Sequence, residues 1–128
     1  MALSPLAPLA TAHLFPRLGA ALVALLDGLE ARDWERPTVC PGWAVRDVAA
    51  HLADSALRRL AIERDRHRPP LAGPPPASYS ALVGLLNSLN ASWVEASRRL
   101  SPRLLRELVA WVEPPLAAPF FELRSVMV

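Results

Sequence analysis

The sequence predicts an all-α protein, an antiparallel up-down helix bundle whose last helix is missing or incomplete. Three observations carry this. Apolar residues recur every three or four positions over three long stretches, and nowhere alternate over the length of a strand. Prolines collect between those stretches rather than inside them. The chain has 128 residues, 52% of them hydrophobic and 20% charged, which is enough for one domain with a real core and too apolar for disorder.

Residues 1–12 read as a loose leader, and residues 13–128 as one bundle domain. The first helix is expected over about 13–31. Leu14, Leu18, Leu22, Leu25 and Leu29 form its apolar stripe, widened by Ala21 and Leu26. Pro16 is tolerated only in the first turn, so the helix starts near Phe15. Residues 33–43 are a connecting loop. Pro37 and Pro41 stiffen it, and Trp34 and Trp43 bracket it as packing anchors.

The second helix is expected over about 44–67, with Val45, Val48, Ala49, Leu52, Ala56 and Leu60 as its buried stripe. Asp54 with Arg58, and Arg59 with Glu63, are acid–base pairs at i,i+4, the spacing that supports an exposed face. Arginines and His67 crowd its end, where cations complement the helix dipole. Residues 69–77 hold five prolines and one glycine, a stiff linker long enough to bring the next helix back antiparallel. Ser78 caps a third helix to about residue 100, striped by Leu82, Leu86, Leu89, Trp93 and Leu100. Ser101-Pro102 restarts a short fourth helix through Leu104, Leu105, Leu108, Val109 and Val112. Pro114, Pro115 and Pro119 are expected to end it.

Charge and composition narrow the function classes. Fourteen basic residues, all arginine, against twelve acidic ones leave a net charge of +2, too near neutral to argue for nucleic acid. No uncharged stretch is apolar enough for a membrane span, and the amino terminus lacks the basic start of a signal peptide. The single cysteine, Cys40, excludes an internal disulfide and a Cys-x-x-Cys metal site, in keeping with a reducing cytoplasm.

Few residues are candidates for chemistry. His13 lies in the frayed start and His67 among arginines. His51 sits between Ala50 and Leu52 in the second helix, where a histidine is either a satisfied boundary residue or a metal ligand. Asp47 shares its face one turn earlier, but falls in the first helical turn, where a carboxylate caps backbone N–H groups. Asn87 and Asn90 sit at i,i+3 beside the third helix's stripe, as cavity groups or as a boundary pair. Cys40 is a weak candidate nucleophile.

The run Trp34, Pro37-Thr38-x-Cys40-Pro41-Gly42-Trp43-x-Val45-Arg46-Asp47-Val48-x-x-His51-Leu52 resembles the N-terminal domain of the mycothiol-dependent maleylpyruvate isomerase family, of the DinB-like superfamily. Residues 89–94 and 98–102 also look like a branch of it. The resemblance implies a divalent metal, commonly zinc, with His51 as one of three ligands. It implies that the other two lie one turn apart on the last helix, and that the metal activates a small thiol such as mycothiol for isomerisation or transfer. Ala44 stands where the family usually carries serine or threonine. No histidine follows His67, so the resemblance implies a chain without that last ligand pair, inactive or impaired by itself. The alternative is a non-catalytic helical module that forms a homodimer or captures a partner helix through an exposed apolar groove.

Overall fold

The computed structural model describes residues 11–70 and 73–122, with side chains described to residue 113. The residues of the expected leader before position 11, and those beyond position 122, lie outside that range. Among the described residues there are four α-helices and no strand: α1 (Phe15–Asp27), α2 (Val45–Arg59), α3 (Tyr79–Ser97) and α4 (Pro102–Glu122). None of them is long and apolar enough to cross a membrane.

The order of packing is α1–α4–α2–α3. α4 lies against both α1 and α2, and α3 packs on α2. Leu26 of α1, Trp34 of the loop, Ala49, Ala50 and Ala53 of α2, and Leu105 and Val109 of α4 form the main core. Ala56, Leu60 and Val112 extend it towards the far end. The contacts run Asp27 to Arg106 between α1 and α4, and Asp47 to Arg98 then Arg58 to Asn90 between α2 and α3. Both pairs are therefore antiparallel, as expected for an up-down bundle.

Three expected faces are turned from where the sequence placed them. On α1, Leu18 and Leu25 are 61% and 63% exposed, while Gly19 and Leu26 are buried. Residues 18–26 are apolar all round, so periodicity alone cannot choose a face. Close approach of α4 at Gly19 chooses it. On α2 the innermost residues are alanines, and Leu52 is turned partly outward, because α4 approaches α2 over small side chains. On α3, Leu82, Leu86 and Leu89 stay about 40% exposed, and Val94 and Ser97 are buried instead. α3 touches the rest through one flank only.

The ends also differ. The α-helical ladder of α2 stops at Arg59, and Leu60–Arg64 continues as a π-helical turn. Arg66, with φ of 56°, then reverses the chain. The prolines at 114, 115 and 119 do not end the fourth helix, which runs on to Glu122. Proline's fixed φ lies in the helical range, although inside a helix a proline lacks a backbone donor and crowds the carbonyl four residues earlier. The expected caps are present. The Ser78 hydroxyl accepts from the Ala81 N–H at 3.1 Å, and the Ser101 hydroxyl accepts from Leu104 at 3.2 Å.

Candidate functional site

The loop before α2 is a hairpin-like clamp. The Trp43 N–H donates to the Cys40 carbonyl at 3.1 Å, and Gly42 has φ of 76°. With proline second and a left-handed glycine third, Cys40-Pro41-Gly42-Trp43 is a type II turn. Thr38 closes it from inside. Its N–H and hydroxyl both donate to the Trp43 carbonyl, at 3.1 and 2.9 Å, and its hydroxyl accepts from the Cys40 N–H at 3.1 Å. The Val45 N–H then donates to Arg36 at 3.0 Å, so α2 leaves the clamp in a fixed direction.

The next residues spend their polar groups on structure. Ala44 has no side-chain oxygen to cap α2, but the Asp47 carboxylate reaches back to the Ala44 N–H at 3.0 Å. Asp47 also receives the Arg98 guanidinium at 3.2 Å, and its side chain is only 4% exposed. Burial pushes the Asp47 carboxyl up. The Arg98 hydrogen bond, the Ala44 N–H and the charges of Arg98 and Arg46 outweigh that and hold it below the usual aspartate value. Arg46 crosses to the end of α3, donating to the carbonyls of Arg98 and Leu100 at 3.1 and 2.8 Å, and pairs with Glu35 at 3.0 Å. These last carbonyls have no partner within α3, so a cation there is well placed. Asp47 is thus a cap, as its position in the first turn suggests, and also an ion-pair anchor for Arg98.

One turn further along the same face lies His51. Its ring is half-buried, with its centroid 5.3 Å from that of Trp43 at an interplanar angle of 51°. Its Nδ1 is buried and has no hydrogen-bond partner. Beyond it, Arg58 binds Asp54 at 2.8 Å and Asn90 of α3 at 3.0 Å, while its own Nε is buried and unpartnered. Burial pushes the Asp54 carboxyl up, against the opposing charges of Arg58 and His51. The Trp93 indole N–H donates to the Ala50 carbonyl at 2.8 Å and closes the seam.

This α2–α3 seam is polar where the sequence reading placed an exposed face. Asp54 and Arg58 were expected on the solvent side, yet they face α3. The spacing 47, 51, 54, 58 repeats at three and four residues and marks one helix face, which is the signal that identifies them. Asn90 joins the seam through Arg58, and Asn87 is exposed. Cys40, His13 and His67 are exposed as well.

His51 fits the role of one metal ligand, since its ring offers a nitrogen without a partner. The described residues do not complete a set. They contain no group of three histidine, cysteine, aspartate or glutamate side chains arranged to hold an ion, and the neighbouring carboxylates, Asp47 and Asp54, are each tied to an arginine. A metal centre needs three or four ligands, and the described residues offer His51 without the rest of such a set.

Neither a curated protein nor a solved structure matches the chain. A family model does, that of the mycothiol maleylpyruvate isomerase N-terminal domain, over residues 15–123. That span takes in the clamp, the polar seam and all four helices, and the chain therefore belongs to the mycothiol maleylpyruvate isomerase N-terminal domain family.

Proposed function

We propose that this chain is the helical scaffold of a mycothiol-type, small-thiol-dependent isomerase or transferase, with His51 as a single divalent-metal ligand and zinc as the metal. By itself the chain binds that metal weakly and turns over little substrate. The observation that carries the reading is the buried, unpartnered Nδ1 of His51 beside Trp43. A ring nitrogen left without a hydrogen bond is costly, and a ligand to it offsets the cost. The lone ligand is also why weak binding is expected. We assign the protein to the cytoplasm, where the exposed Cys40 thiol stays reduced.

Zinc content and affinity, measured on the purified chain and on His51→Ala, test this. The expected result is substoichiometric zinc in the parent and a further loss in the variant. Zinc unchanged in His51→Ala would remove His51 from the reading. A full equivalent lost on His51→Ala would show a complete site instead of a single ligand.

A second reading, the non-catalytic interaction module, is supported by one observation. Leu82, Leu86 and Leu89 stand at i, i+4 and i+7 on α3, each about 40% exposed. The occupant consistent with it is a second copy of the chain.

A further inference from the structure

The groove between α1 and α4 lies on the other side of the molecule's core from the polar seam. Gly19, Val23, Ala24 and Asp27 of α1, with Ala110 and Glu113 of α4, line a cavity of about 610 Å³, a size typical of small-molecule pockets. A second cavity of about 380 Å³, between α1 and α2, shares Gly19 and Glu113. Glu113 therefore stands at the junction of the two. It reaches that place because residue 19 is glycine, since a β-carbon there would collide with its carboxyl oxygen.

Among the described residues that line the larger groove, Asp27 and Glu113 are the ionisable ones, and no base accompanies them. Asp27 is committed to Arg106 at 2.8 Å. Glu113 is half-buried, and none of the described residues pairs with it. Burial pushes its carboxyl up, and Arg59 lines the smaller cavity with it. A carboxylate in this position lacks the counter-charge that burial usually demands.

We propose that the α1–α4 groove binds a small amphipathic monocation, a primary amine on an apolar chain, with its ammonium on Glu113 and its chain along Val23, Ala24 and Ala110. In the larger groove an anion meets Glu113 and, among the described lining residues, no base. A neutral apolar molecule fills the groove but leaves Glu113 uncompensated. The metal proposal plays no part in this one, because none of these residues belongs to the α2–α3 seam.

Nitrogen-15-labelled full chain is titrated with hexylamine, hexanol and hexanoate, following the amides of Gly19, Ala20, Val23 and Ala24. Hexylammonium is expected to shift these amides saturably. Hexanol is expected to bind about tenfold more weakly or worse, and hexanoate not at all. Glu113→Gln, with its fold checked by circular dichroism, is expected to weaken hexylammonium by about tenfold, the loss of one charge-assisted hydrogen bond. Ala24→Leu, an exposed position that narrows the groove and leaves Glu113 in place, is expected to weaken it too, and carries the test if Glu113→Gln unfolds. Equal affinity for hexanol and hexylammonium, unchanged affinity in either folded variant, or no shift at these amides would overturn the proposal.

Discussion

Asp47 shows how much a single side chain holds in this protein. It caps α2 through Ala44 and anchors α3 through Arg98. Replacing it with alanine leaves a free N–H at the start of α2 and takes from Arg98 its buried partner, leaving it Glu95 at 2.9 Å. The expected cost is about 2 kcal/mol, read from urea unfolding at neutral pH. The pH dependence has a definite sign. The folded carboxyl titrates below its ordinary value of 3.8, so its contribution is complete above that value and fades as pH falls through the lower, folded one. The gap between parent and Asp47→Ala should close on acidification within that window. A gap that stays constant to the acid unfolding transition would show that charge plays no part. His51, one turn on, is the contrasting case. Asp47 is fully satisfied and His51 is not, and that difference is what separates a structural residue from a candidate site residue on the same helix face.

At the scale of elements, the helices and their starts were legible from the sequence, because Ser78, Ser101-Pro102 and Pro16 act locally. The faces were not. In α1 the apolar residues circle the helix, so the close approach at Gly19, not the leucine pattern, sets the inward side. In α2 the core is alanine, which hydrophobicity ranks below Leu52 and geometry ranks above it. The polar seam was half legible. His51 and Asp47 were found by type and spacing, but the inward turn of Asp54 and Arg58 depends on Asn90, which is 32 residues away from Arg58 in sequence. The leucine face of α3 leads to the test of the second functional reading. Light scattering across a concentration series should show a monomer–dimer equilibrium that Leu86→Glu moves towards monomer. A parent chain that stays monomeric throughout would rule out self-association through this face.

At the scale of the whole molecule, two kinds of cohesion divide the labour. α4 is held between α1 and α2 by apolar contacts around Leu105, Val109 and Val112. α3 is held to α2 mainly by the Arg98–Asp47 pair, the Arg58–Asn90 bond and the Trp93 indole. The family's motif stretch, residues 34–52, sits where these meet: Trp34 in the apolar core, Arg46 and Asp47 in the polar seam.

The reach of Arg46 sets an order of events. The type II turn and the Asp47 cap join residues three apart and need nothing from elsewhere in the chain. The Arg46 bonds join residues 52 and 54 apart and exist only once α3 has docked. Closing so long a loop costs entropy before the contact returns anything. α2 and its lead-in turn thus need nothing from α3, whereas the Arg46 bonds wait on its docking, as the Asp27–Arg106 pair, 79 residues apart, waits on the docking of α4 against α1. In stopped-flow measurements Arg46→Ala should speed unfolding and leave the folding rate nearly unchanged. A folding rate slowed as much as unfolding is hastened would place α3 in the transition state instead. A residue of the family's motif stretch is, in kinetic terms, a latch that closes only when α3 docks.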